Sequence, residues 1–169
     1  PFLAAVEYSG SRLLDRKAAK RVAILDVDVH HGDGTEELMA KREGVLFCSL
    51  HQSPLYPGTG LKSRDNCLNF PLPPGTGEGE YLKTLETALG SALDFKPELI
   101  AVSAGFDAYK ECPIAQLRLE KKSYRRIGGL IAQSRLPRFA VLEGGYASDL
   151  PVLIENFLPG TFERWGLGW

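Results

Sequence analysis

Apolar runs alternate with amphipathic stretches along this chain, and that alternation lays out its elements. Residues 2–18 have helical spacing and predict a helix. Residues 22–27, VAILDV, are short, branched and apolar on both faces, which predicts a strand buried on both sides. A short helix is expected over 35–42, with Thr35 as its cap candidate. VLFCSL, at 45–50, predicts a second strand. Residues 51–77 are rich in Gly and Pro and predict a long loop with an extended piece at 66–70. A loop of that length usually carries function. A helix over 78–93, a strand over 98–104, a loop over 105–119 and a helix over 120–134 follow. A strand over 138–142 is broken by Gly144 and Gly145, and a last helix covers 148–158. Strand–helix–strand order predicts an α/β fold: a mostly parallel sheet with helices on both faces. The sequence shows no repeat and no internal linker.

Length and composition narrow the function. The 169 residues suit one domain, and 44% hydrophobic content suffices for a core. Twenty Lys and Arg stand against 21 Asp and Glu, so neither nucleic acid nor anionic membrane is an expected partner. No apolar run approaches the roughly 20 residues of a membrane span. The start, PFLAAVEYSGSR, lacks a basic region ahead of its apolar residues, so no secretory leader is expected. Cys48, Cys67 and Cys112 are scattered and odd in number. They read as buried small hydrophobes in a reducing, cytoplasmic setting. Residue 1 is Pro rather than Met, and the chain opens inside a helical pattern, so a missing N-terminal part is expected. Oligomeric state is not legible.

Chemistry concentrates where the expected strands end. In open α/β sheets, ligands bind beyond the carboxyl ends of the strands. The first strand runs into Asp26, Asp28, His30 and His31, the third into Asp107, and the fourth into Tyr146. Residues two apart in an extended segment share a face, which places Asp26, Asp28 and His30 together unless the segment bends. Carboxylate oxygen, imidazole nitrogen and the Asp107 carboxylate make a three-ligand set. It suits Zn²⁺ with an open position, while Fe²⁺ or Co²⁺ is also compatible. Taken alone, Asp107 reads as a cap or loop anchor, and His51 as a structural residue. Two carboxylates and two imidazoles within six residues are costly to hold without a partner. Tyr146, behind a Gly pair, reads equally as a core residue or as a phenol aimed at a reacting oxygen. PPGTGEGE, from Pro73 to Glu80, lacks the Lys and the context of a phosphate loop and reads as a flexible loop. EKKSYRR reads as a solvated helix face.

The ordered set DVDVHHGDGT, SLHQSPLYPGTG, NFPLPPGTG, VSAGFDAY and LEGGY resembles the zinc-dependent histone deacetylase family, which includes acetylpolyamine amidohydrolases. The resemblance runs from about residue 4 to 160, and its style is closer to the prokaryotic and class II branches. It implies an arginase/deacetylase-like three-layer domain spanning residues 1–169, with its N-terminal part missing. It implies Asp28, His30 and Asp107 as zinc ligands and Tyr146 as donor to the substrate carbonyl and the oxyanion. Asp26 and Asp33 would each orient one histidine of a catalytic pair. A structural K⁺ would be held by the Asp28 carboxylate, the Ser49 hydroxyl and the carbonyls of Asp26, His30 and Leu50. Tyr56, Gly105, Phe106, Gly144 and Gly145 would line a channel for an acetylated lysine side chain or an acetylated polyamine.

The departures bear on activity. The family's catalytic His pair precedes the DxDxHH motif, yet no His occurs among the 25 residues before Asp26. Tyr109 stands where the family commonly carries His, and Glu111 and Cys112 follow where acidic residues are usual. The expected function is hydrolysis of an acetyl-amide, with this chain weak or inactive by itself. Two rivals are a metal-retaining domain that binds acyl chains without cutting them and a ureohydrolase-like metallohydrolase. The latter usually holds two metals.

Overall fold

A computed structural model describes residues 19–162. The helix expected over 2–18 lies outside the described residues. The strands are β1 (Val22–Asp26), β2 (Val45–Gln52), β3 (Cys67–Leu72), β4 (Leu99–Ala104) and β5 (Arg138–Leu142). The helices are α1 (Asp33–Met39), α2 (Glu78–Asp94), α3 (Ser123–Gln133) and α4 (Leu150–Phe162). The five strands form one sheet in the order β3-β2-β1-β4-β5, every neighbouring pair parallel.

Strand β1 is central because its five residues, VAILD, are all buried. Ala23, Leu25, Leu46, Cys48, Ile100 and Val102 point to one face, where Leu85, Tyr124, Ile127, Leu153 and Phe157 of α2, α3 and α4 cover them. Val22, Ile24, Phe47 and Ala101 point to the other, where Met39 of α1 packs. Helices therefore lie on both faces of the sheet.

The chain leaves β1 toward β2 and β3, then crosses back so that β4 and β5 extend the other side. Connections after β1 and β4 diverge, and a crevice opens at their carboxyl ends, the usual ligand position in such sheets. Register places Asp26 opposite Ser49 on one side and Ser103 on the other, so β1 and β4 finish within one residue of each other.

Several elements differ from the sequence reading. The α1 helix starts at Asp33, with Gly32 as its N-cap and no side-chain cap bond, so Thr35 is a buried residue within the helix rather than its cap. The extended piece expected inside the long loop is a full edge strand, β3, which shortens the loop to 53–66. Exposed Pro71 is tolerated there because an edge strand has one unpaired side. Pro73–Gly77 is a tied turn rather than a flexible loop, and Glu78–Glu80 open α2. Thr76 Oγ1 donates to the Pro73 carbonyl at 2.7 Å, and the Gly75 and Arg118 amides bridge this turn to the loop before α3. Helix α4 passes through Pro159, and Thr161 Oγ1 donates to the Phe157 carbonyl at 2.8 Å beyond it.

All three cysteines are free and buried. Burial pushes the Cys48 thiol up to about 12. No helix among the described residues is long and apolar enough to cross a membrane.

Helices α3 and α4 cross at glycines. A Cβ on Gly128 would lie 2.5 Å from Thr161 Oγ1 and 2.6 Å from the Phe157 carbonyl oxygen. Gly128→Ala is therefore expected to lower stability by about 1–3 kcal/mol through overpacking. Gly90→Ala, on the exposed side of α2 with nothing within 4 Å, should raise it by roughly 0.5–1 kcal/mol. Urea denaturation of both variants checks the pair.

Candidate metal centre

The segment after β1 does not continue extended. Asp26 Oδ1 accepts the Asp28 amide at 3.0 Å, and Asp28 Oδ1 accepts the His30 amide at 2.9 Å. Side chain-to-backbone bonds of this kind turn the chain in place of a ladder. Asp26, Asp28 and His30 consequently do not share a face. Asp26 stays buried under Gly32, whose Cβ position lies 2.6 Å from Asp26 Oδ2, while Asp28 and His30 turn to the crevice rim.

There they meet Asp107 from the end of β4. His30 Nδ1 lies 3.0 Å from Asp28 Oδ1 and 3.2 Å from Asp107 Oδ2. One ligand atom from each of the three falls within 4.8 Å of the others. Ligand atoms on a tetrahedral zinc sit about 3.3 Å apart, given metal–ligand bonds near 2.0 Å. The remaining carboxylate oxygens are held by backbone. Val29 N–H donates to Asp107 Oδ1 at 3.0 Å, and Gly144 N–H donates to Asp28 Oδ2 at 3.0 Å. Asp107 Oδ2 is buried and faces the His30 imidazole as an ion pair.

Electrostatics describe the same deficit. Burial raises Asp26 well above the carboxylate range, and neighbouring Asp28 adds to it. Burial also raises Asp107. Hydrogen bonding from Asp107 first, then Asp28, pushes the His30 imidazole up to about 10. Among the described residues the His30 imidazole faces both carboxylates, and a divalent ion would supply the positive charge that opposes them. The residues present fit such an ion.

Two glycines permit the approach. A Cβ on Gly105 would lie 2.4 Å from Asp28 Oδ2, and one on Gly144 would lie 2.4 Å from Asp107 Oδ2. Both therefore back the carboxylates. Tyr146 is 61% exposed, which removes the core-residue reading. Burial first, then the charges of Asp107 and Asp28, raises its phenol. Phe106 departs from the channel expectation: its ring is buried against Tyr124 and Phe157, with centroids 5.1 and 5.7 Å away. Tyr56 is 80% exposed on the 53–66 loop. Asp33 is exposed at the start of α1 and accepts the Gly34 amide.

The other histidines are committed elsewhere. His51 Nε2 donates to the Gly60 carbonyl at 3.1 Å, so Nδ1 accepts from the Ser49 hydroxyl at 2.9 Å. Ser49 lies beside Asp26 in register. His31 Nε2 faces Glu36 Oε2 at 3.0 Å and Asn69 Oδ1 at 3.1 Å, and Nδ1 meets Thr59 Oγ1 at 2.8 Å. Arg64 Nε pairs with Glu36 Oε1 at 2.8 Å. Sequence reading missed this group, in which buried Glu36 and Asn69 meet exposed Thr59 and Arg64 and tie the 53–66 loop to α1. No local spacing signals it.

Two outcomes follow from this geometry. Gly144→Ala should weaken Zn²⁺ binding roughly 10–100-fold, the usual cost of disturbing groups that hold metal ligands, whereas Gly79→Ala should not. Calorimetric titration of each variant measures this. Burial first, then neighbouring His31, pushes His51 down to about 4. Between pH 6.5 and 4 the unfolded chain binds a proton that folded His51 refuses. Its stabilising contribution is thus complete above pH 6.5 and declines as pH falls through that window. His51→Gln should flatten the decline by on the order of 2–3 kcal/mol in urea denaturation across the window.

Comparison with known proteins identifies the family. The family model of the histone deacetylase domain matches residues 5–156. A probable deacetylase of Archaeoglobus fulgidus is 40% identical over 159 residues, 86% of this chain and 43% of that protein. Acetylpolyamine amidohydrolase 1 of Pseudomonas aeruginosa is 38% identical over 155 residues, 85% of this chain and 45% of that protein. The crystal structure of an acetylpolyamine aminohydrolase from Burkholderia pseudomallei superposes with a TM-score of 0.87 at 32% identity, covering 92% of this chain and 48% of that one. The chain thus spans about half the length of the relatives it matches. Fold, motif order and the match over residues 5–156 together mean that the chain belongs to the histone deacetylase domain family.

Proposed function

We propose that this chain carries the metal-binding half of a zinc-dependent amidohydrolase that removes acetyl groups from amines. The observation that supports it best is the convergence of Asp28, His30 and Asp107 ligand atoms within 4.8 Å at the crevice between β1 and β4. When bound there, zinc supplies a Lewis acid for the acetyl carbonyl and lowers the pKa of water. The Tyr146 phenol donates a hydrogen bond to the substrate carbonyl and keeps that bond as negative charge develops on the oxygen. Gly144 N–H and Val29 N–H fix the Asp28 and Asp107 carboxylates. A K⁺ ion beneath the site would use Ser49, whose hydroxyl proton points to His51, with Asp26, Asp28, His30 and Leu50. Tyr56, Gly105, Gly144 and Gly145 form the rim that receives the acyl chain.

The acid–base groups come from elsewhere. The chain has three histidines, His30, His31 and His51, and each is engaged as described above. Asp26 and Asp33 are left to orient imidazoles supplied by further sequence. The outer edge of β5 has no partner strand among the described residues, and β5 is only partly buried. The remaining half of the domain pairs there. Two relatives named as acetylpolyamine amidohydrolases in Pseudomonas aeruginosa favour an acetylated polyamine over acetyl-lysine as substrate. Free buried thiols suit a reducing cytoplasm.

The test is zinc-loaded turnover of acetylputrescine and an acetyl-lysine peptide by this chain and by a version extended with its upstream coding sequence. The extended protein is expected to be about 10²–10⁴-fold faster, the usual worth of positioned acid–base groups. Acetylputrescine should be the better substrate. Equal turnover by both versions would contradict the division of labour.

A further inference from the structure

Tyr146 sits in a stretch with no regular structure, between the end of β5 and the start of α4, and its side chain is exposed. A donor in such a place needs its backbone fixed from outside. One end of the stretch is pinned at Gly144, whose N–H donates to Asp28 Oδ2 and whose carbonyl accepts the Phe106 N–H at 2.8 Å. The other end is pinned at Asp149. Its Oδ2 accepts the Tyr109 hydroxyl at 3.0 Å, and its Oδ1 pairs with Lys121 Nζ at 2.8 Å. The Asp149 carbonyl also accepts the Leu153 amide in the first turn of α4. Tyr109 is 1% exposed and lies two residues from Asp107. Both pins therefore reach back to the 106–109 stretch that places Asp107.

We propose that Tyr109 and Asp149 form a clasp that fixes the Tyr146 phenol relative to the Asp28–His30–Asp107 cluster, making Tyr109 a positioning residue. The proposal rests on the reading of Tyr146 as the carbonyl donor. A bond from a buried hydroxyl to a carboxylate is of the stronger charge-assisted kind, and it spans 40 residues of sequence. Lys121 holds the opposite carboxylate oxygen and keeps Asp149 ionised and oriented. Loss of the Tyr109 hydroxyl removes the bond that joins Asp149 to the 106–109 stretch, while the Lys121 pair, Gly144 and hence the metal ligands stay in place.

The test uses Tyr109→Phe and Asp149→Ala in the full chain. Amide hydrogen exchange over Gly145–Asp149 should accelerate at least about tenfold in both, the worth of one hydrogen bond to a charged group. Exchange in β1 and β4 should not change. On zinc-loaded protein, Tyr109→Phe should weaken binding of acetohydroxamate, a small chelator whose carbonyl copies an acetyl amide. That weakening should vanish in a Tyr146→Phe background, because the clasp acts through Tyr146. Unchanged exchange over Gly145–Asp149, or equal weakening in both backgrounds, overturns the clasp. If the wild-type chain fails to bind Zn²⁺, the metal reading falls, and the exchange measurement still decides the clasp.

Discussion

Two carboxylates and one imidazole occupy one small volume where β1 and β4 part company. Asp28, His30 and Asp107 are brought there by parallel strands whose register leaves their ends within one residue of each other. Negative charge held in a buried place is costly unless something opposes it. Raised carboxyl groups at Asp26 and Asp107 and the raised His30 express that cost directly. The fold spends its core packing, two glycines and several backbone amides on keeping this arrangement. An ion of two positive charges is the partner that relieves it with the fewest other changes.

The sheet order explains why the cluster lies where it does. Chain leaving β1 turns to one side and chain leaving β4 to the other, so no connection covers the gap between them. The end of β5 closes one wall with the Gly144 amide, and α1 with the 53–66 loop closes the opposite one through Glu36, His31 and Asn69. On the proposed function catalysis also needs acid–base groups, since each of the three histidines is engaged in the contacts above. The outer edge of β5 has no partner strand among the described residues, and the chain spans about half the length of the relatives it matches, so the proposed function assigns the acid–base groups to further sequence.

Much of this was legible from residue order alone. The four apolar strands and the helices after them follow from periodicity, and the DVDVHH, SAGFDA and EGGY stretches mark their ends. Three things were not legible, for physical reasons. The turn after Asp26 depends on carboxylates accepting amides two residues on, which separates Asp26 from Asp28 and His30. Strand β3 hides in a Pro- and Gly-rich stretch because edge pairing tolerates residues that a central strand does not. Partners such as Glu36 for His31, or Asp149 for Tyr109, are chosen in space rather than along the chain. Phe106 shows the same limit in reverse: its neighbours in sequence face the crevice while its ring serves the core.

Zinc K-edge X-ray absorption on the zinc-loaded chain addresses the central claim most directly. The account predicts a first shell of oxygen and nitrogen alone at about 2.0–2.2 Å, with scattering from a single imidazole. A sulfur neighbour at about 2.3 Å, or scattering from two or more imidazoles, would contradict it.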